Sequence, residues 1–347
     1  MKKISALTVF LLALLLWPAS SLRAAVGDEF DLRIDRGLEI LYQGQYQEAI
    51  DTFDAFINQH PQNPAGYFFK AGAYQLRSMA YETDVWDDLQ RSLLDSSLDL
   101  SGQAISHDSR DAWAFFIRGG TYAYRAAIKV RTKDYFSALS NGLSAVSDLN
   151  KAAALDPRLY DAYMGIGSFH YFRTKAASVL KWLPFIGDNR EQGIAEIKLA
   201  IEKGRYSKVM AQNGLAWIYV DYEKYPLALE QSRQLESSYP QNHVFFWIAP
   251  EVHWRTKQWD KGSAGYARLL KLLDQSQPMN NFNRVVVGSR LAKCYYQQKK
   301  YREALEASQK ALGLALDERS AQRLKYERGR AYEVLKQSEK RLRKKDE

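Results

Sequence analysis

The sequence predicts an all-α fold made of repeated helix pairs, and three observations predict it. One frame of small and aromatic residues returns along most of the chain. No alternating Val/Ile/Thr-rich runs joined by hairpin turns occur, which an all-β fold would need. The composition, 46% hydrophobic and 26% charged, supplies a core and argues against wholesale disorder. Packing must hold this fold together, because the single cysteine, Cys294, excludes an internal disulfide. Next to Tyr295 on an expected helix, Cys294 reads as a small buried hydrophobe rather than a reactive thiol.

The clearest copy of the frame is residues 44–61, GQYQEAIDTFDAFINQHP. Ala49 is small enough to let two antiparallel helices approach, and Phe53 and Phe56 fill the space beside it. Pro61 ends the helix, since it lacks an N–H and disfavours a helical conformation at His60. First helices of later pairs align on Tyr74 and Tyr122, each with an aromatic seven residues earlier (Tyr67, Phe115) and small pairs between, Ala71-Gly72 and Gly119-Gly120. The frame recurs around Gly167, before Tyr219 and before Tyr295. Second helices carry Ala145, Leu149, Ala152 and Pro157, then Tyr225, Ala228, Leu235 and Pro240. Trp259, Gly262, Tyr266 and Leu269 follow, then Tyr301, Ala304 and Ala311. Tyr225 and Trp259 stand 34 residues apart, whereas Tyr74 and Tyr122 stand 48 apart. Extra residues are therefore expected near 84–107, and again in the loop 274–283. Seven pairs result, followed by a helix from about Ala321 that has no partner.

Gly-x-Tyr-x-x-Ala-x-x-x-Phe followed by proline, at a 34-residue period, resembles the tetratricopeptide repeat (TPR). The resemblance covers residues 34–335 and is strongest at 44–61 and 210–270. It implies a right-handed α-solenoid of about seven TPR-like helix pairs plus a C-terminal capping helix, with a concave groove lined by the inner helix of each pair. Residues 26–347 are expected to form one solenoid domain, with insertions near 84–107 and 172–189 and a basic cap at 321–347. The second insertion resembles a feature of long exported bacterial TPR proteins.

Residues 1–25 read as an export signal: Met1-Lys2-Lys3, a short apolar run from Ile4 to Trp17, then small residues around Ala24. The apolar run is short for a bilayer-crossing helix, which needs about 20 residues. A cleaved signal and an uncleaved anchor both stay open, and either places the folded part outside the cytoplasm, in a bacterial periplasm or against the inner membrane. The formal net charge of +9 offers no nucleic-acid footprint. Residues 1–25 contribute +3 and residues 321–347 contribute +5, which leaves the solenoid nearly neutral where a binding groove would need a positive stripe. The basic tail suits a helix C-terminus, or contact with anionic lipid headgroups.

No catalytic, metal or cofactor motif stands out. The five histidines, His60, His107, His170, His243 and His253, have no zinc spacing. Gly165-Ile166-Gly167 falls inside a helix rather than after a strand, and neither a phosphate loop nor a nucleophile elbow is present. An enzyme is not expected. The surfaces that remain are aromatic. Transferred from TPR geometry, the groove face receives Trp113, Phe116, Tyr124, Tyr171, Phe172, Trp217, Trp247, Trp254 and Tyr296, with Glu251 and Arg255 as orienting polar groups. Such residues suit a protein or peptide contact, unless a tightly wound superhelix buries the face against itself. A second apolar stretch, with Leu180, Trp182, Leu183, Phe185 and Ile186, reads as a plug on the solenoid edge or a docking patch. The expected function is a non-catalytic, extracytoplasmic scaffold for a cell-envelope protein or peptide. The alternative is a small-molecule binding protein serving a transporter, closed around an apolar pocket.

Overall fold

Seven helix pairs follow one another: α1 (Ala19–Tyr42) with α2 (Tyr46–Gln59), α3 (Pro64–Tyr81) with α4 (Asp87–His107), and α5 (Ala112–Arg131) with α6 (Tyr135–Leu155). Next come α7 (Ala162–Val179) with α8 (Arg190–Lys203), α9 (Lys208–Asp221) with α10 (Tyr225–Ser238), and α11 (Ile248–Arg255) with α12 (Trp259–Gln275). The last pair is α13 (Asn281–Gln297) with α14 (Tyr301–Leu312), and the short α15 (Glu318–Arg323) leads into a terminal α16 (Lys325–Asp346). The computed structural model describes residues 19–179, 187–276 and 281–346, with no strand among them. The fold is the all-α solenoid expected from the frame, with α16 packed on α13 and α14 at its end. The export signal lies largely outside the described residues, and residues 19–25 belong to α1. The patch residues Leu180, Trp182, Leu183, Phe185 and Ile186 also lie outside them. Most of the stretch 84–107 is α4 itself, the second helix of pair two, so the added length there is helix rather than loop.

One device closes the turn inside six of the pairs. Gly44, Glu82, Lys133, Glu223, Lys257 and Lys299 all adopt positive φ, between 50° and 85°. Each lets the chain reverse before the next helix begins, and only the first pair places glycine there. The others hold a side chain in a left-handed conformation that costs about 1 kcal/mol. Starts of helices are fixed by side chains: Asn63 accepts from the Ala65 N–H, Asp111 from Ala114 and Asp134 from Ser137.

Within pairs, small residues set the spacing. Ala49, Phe53 and Phe56 are all buried, and the Phe53 ring occupies the space that a side chain at Gly37 would need. In pair four, a Cβ on Gly167 would collide with the Gly193 carbonyl and one on Gly193 with that of Gly167. Backbones touch there, and only glycine on both helices permits it.

The solenoid also folds onto itself. The α1–α2 turn sits against residues 239–244, where the Tyr46 hydroxyl donates to Asn242 Oδ1 at 3.0 Å and Asn242 Nδ2 donates to the Tyr42 carbonyl at 3.0 Å. At the end of α3 the Ala80 carbonyl accepts from His243 Nε2 at 3.0 Å and from Asn283 Nδ2 at 2.8 Å. Arg205 pairs with Asp31 and Asp35, and Arg323 and Arg319 reach back to Glu82 and Asp84. Pairs one and two thus pack across pairs four to seven and the cap, and one apolar core runs from Ile34 to Cys294.

Three outcomes follow from this packing. Asn242→Ala strips partners from Tyr46, the Tyr42 carbonyl and the Val244 N–H, and is expected to cost about 1–3 kcal/mol in urea denaturation. Burial lowers the pKa of His243 below its ordinary value, so the folded chain binds fewer protons there than the unfolded one. Stability is then fully present above about pH 6.5 and declines as pH falls below it, and His243→Gln should flatten that slope when midpoints are compared at pH 7 and pH 5. Lys299→Gly relieves a left-handed side chain at φ 63° and should raise the unfolding free energy in urea denaturation by roughly 0.5–1 kcal/mol.

Candidate functional site

The inner face divides into two halves with different fates. In the N-terminal half it is filled by the protein itself. Trp113 at the start of α5 lies 5.9 Å from the Phe30 ring, 5.4 Å from Tyr206 and 5.2 Å from Phe116. Phe116 is buried and meets Phe68, which also lies 5.2 Å from Tyr124. The Tyr124 hydroxyl points at Gly72, and burial pushes its pKa up to about 12. Tyr206 donates to Asp31 at 2.6 Å, which ties this aromatic cluster to α1. Tyr171 is likewise buried, and its hydroxyl donates to Asp221 of α9 at 2.8 Å. The expectation that Trp113, Phe116, Tyr124 and Tyr171 face an open groove is therefore corrected. Side chains from other pairs fill it, Phe30 and Tyr206 over Trp113, Phe68 against Phe116 and Tyr124, and Asp221 on Tyr171. Phe172, next to Tyr171 on α7, is exposed.

In the C-terminal half the inner face is formed by α9, α11, α13 and α16. Arg290 of α13 pairs with Glu251 of α11, while the Ser289 hydroxyl of α13 donates to the Glu327 carbonyl of α16 at 2.8 Å. Glu251 is the centre of the polar part: one oxygen accepts from Arg255 Nε at 2.7 Å and the other from Arg290. Arg290 also donates to the Tyr266 hydroxyl at 3.1 Å. Burial opposes its charge, but Tyr266 and Glu251 outweigh that and hold it ionised. Burial likewise drives the Tyr266 hydroxyl pKa upward. Two guanidinium groups lie near Trp254, Arg330 at 5.0 Å and Arg290 at 5.8 Å from its ring centre. Arg330 is itself paired with Glu327 at 2.5 Å and lies 4.9 Å from the Tyr326 ring.

Around this braced centre are side chains that meet solvent. Trp217 on α9 is 37% exposed and Tyr326 on α16 is 75% exposed. A side chain at Gly214, one turn before Trp217, would meet nothing within 4 Å. Arg255 is exposed, and Tyr296, with Lys293 5.4 Å from its ring, is half-buried. Trp247 packs on the core from a half-buried position. The structure thus brings Glu251, Trp254 and Arg255 together, joined by Arg290, Arg330 and Tyr326, which the sequence reading missed. A signal for one of them existed. Arg290 stands nine residues before the left-handed Lys299, as Gly214 stands nine before Glu223, so the two share one position on successive inner helices.

No group of His, Cys, Asp or Glu among the described residues could hold a metal ion, and no described helix is long and apolar enough to cross a membrane. His170 is taken up by Glu196 at 2.7 Å. The buried Cys294 thiol is raised to about 12 by desolvation. A separate shallow cleft of about 410 Å³, lined by residues including His60, Asn63, Asp111 and Trp113, lies among the turns joining pairs one, two and three.

A family model described as the tetratricopeptide repeat matches residues 39–63, the first turn and second helix of pair one. No curated protein sequence matches the chain. Among solved structures, the chain is similar to the crystal structure of the APC/C hetero-tetramer Cut9–Hcn1, with 13% identity and a TM-score of 0.52, over 87% of this chain and 51% of that one. It therefore spans about half the length of that relative. More distant likenesses include YrrB, a TPR protein with an unusual peptide-binding site (16% identity, TM-score 0.42, 65% and 97% covered). Another is PilW, a type IV pilus biogenesis factor (13% identity, TM-score 0.45, 68% and 92% covered). The repeat is recognised in pair one and its frame is carried through seven stacked helix pairs, so the fold is an all-α solenoid of tetratricopeptide-like helix pairs.

Proposed function

We propose that the chain is a non-catalytic, exported scaffold that holds a protein or peptide partner of the cell envelope on the inner face of α9, α11, α13 and α16. The observation that carries this reading is the contrast between the two halves of the inner face. Trp113, Phe116 and Tyr124 are spent on internal packing, whereas Trp217 and Tyr326 stay exposed on α9 and α16, helices that touch those carrying the Glu251–Arg290–Trp254 centre. Large aromatic side chains next to fixed charged groups supply contact area at low entropy cost, which is how hot spots are built. Export rests on the N-terminal sequence, Lys2-Lys3 followed by the apolar run from Ile4.

The small-molecule reading needs an enclosed apolar pocket. The cleft beside Trp113 does not supply it, because it is shallow and His60, Gln62, Asn63 and Asp111 are among its lining residues.

A photo-crosslinker placed at position 217 should capture one discrete partner in intact cells, whereas the same group at position 227, on the outer helix α10, should not. Trp217→Ala with Tyr326→Ala should weaken that partner at least about 30-fold, the loss of a hot-spot contact. Both side chains are exposed, so the melting temperature should stay close to the parent's. A double variant that kept every partner at parental affinity would remove this face from the function.

A further inference from the structure

We propose that the outward face of α6 is a membrane-contact surface, lying flat against an anionic lipid bilayer. Second helices of a solenoid normally turn a charged face to water, and those of this chain do so. α2 exposes Gln47, Glu48 and Asp51, α10 exposes Glu230 and Arg233, and α14 exposes Arg302, Glu303, Glu306 and Lys310. α6 departs from them. Between Asp134 and Asp148 it carries no charged residue at all.

Its inward face is already complete. Ala138, Ala145, Leu149 and Ala152 are buried against α5 and α7, where Leu149 lies over Gly119 and Gly165 and the Phe169 ring lies over Gly142. A second apolar stripe then faces outward: Phe136 is 85% exposed, Leu143 50% and Leu139 47%. Their spacing of three and four residues puts them on one side of the helix. Tyr135 and Val130 extend the stripe into the α5–α6 turn, at 65% and 55% exposure. A helix apolar on both faces is at odds with water on one of them.

The charges at the edge of this stripe select the occupant. The α5–α6 turn carries Lys129, Arg131 and Lys133 against one acid, Asp134. Lys129 is held by Asp134 at 3.1 Å and Arg131 by Asp87 at 2.5 Å, so the basic groups are fixed beside the apolar side chains rather than spread over the surface. Lys133 is exposed at the tip. Phenyl and leucyl groups bordered by lysine and arginine match the layered chemistry of a bilayer surface: the first reach the acyl boundary while the second stay among phosphate headgroups. A protein partner of neutral or basic character would offer nothing to the exposed Lys133.

The full-length protein carrying Phe136→Cys, labelled with an environment-sensitive NBD group, tests the proposal. The native Cys294 is fully buried and stays unlabelled. Leu227→Cys on α10 provides the control position on another outer helix. With phosphatidylcholine–phosphatidylglycerol vesicles, the label at 136 should shift to the blue and be quenched by nitroxides on the lipid chains, while that at 227 should do neither. Lys129→Gln and Lys133→Gln should each weaken vesicle partitioning roughly fivefold. The proposal is overturned if the label at 136 stays in water while the protein binds vesicles through another segment. It is equally overturned if the label is shielded before lipid is added, which means that protein covers the face, or is shielded only by a lipid-free envelope protein fraction.

Discussion

The contact on which this architecture depends is small: the Tyr42–Tyr46 turn and the Ala80 carbonyl seated on Asn242, His243 and Asn283. In an extended repeat array each unit touches only its neighbours, and stability is close to a sum of local terms. Here buried polar groups of the first two pairs find their partners some 160 to 200 residues away. Burying such groups without partners is costly, so the members of this contact stabilise one another. Once it forms, α1 and the α7–α9 region are brought over the aromatic side chains of α5, and that part of the inner face is closed.

The same closure explains what could be read from the sequence and what could not. Pairs were legible because their packing uses alanine, glycine and aromatic residues at helical spacing, as at Ala49 with Phe53 or Leu215-Ala216 before Tyr219. α4 was harder to see because it packs through polar residues. Gln90 donates to the Gln75 side chain at 2.8 Å, and the buried hydroxyls of Ser97 and Thr121 meet at 2.9 Å. A frame built on apolar residues passes over such a face. Trp113 and Tyr124 looked available because local spacing tells only whether a residue sits between the helices of its own pair. It carries no trace of Phe30 or Tyr206, which arrive from far along the chain. Arg290 had no motif of its own, since one arginine on one helix means little until Glu251 and Tyr266 are placed beside it.

What remains open on the inner face is stiff in its polar part. Glu251 is held from both sides, and Arg290 Nη1 is shared between Glu251 and the Tyr266 hydroxyl. A partner that met these groups would not have to order them, so less of its binding energy would go into immobilising side chains. Trp217 and Tyr326 at the flanks have more freedom to adjust to shape.

Closure has a further consequence, for the evolution of repeat number. An open array can gain or lose a unit by duplication or deletion and keep its other contacts. In this chain a unit added or lost between pairs two and six would carry Asn242 and His243 out of register with the turn at Gly44 and the carbonyl of Ala80. The contact therefore counts the repeats it spans: three pairs stand between pair two and the turn that carries Asn242 and His243. Copy number, elsewhere the most variable property of such proteins, is here fixed by geometry.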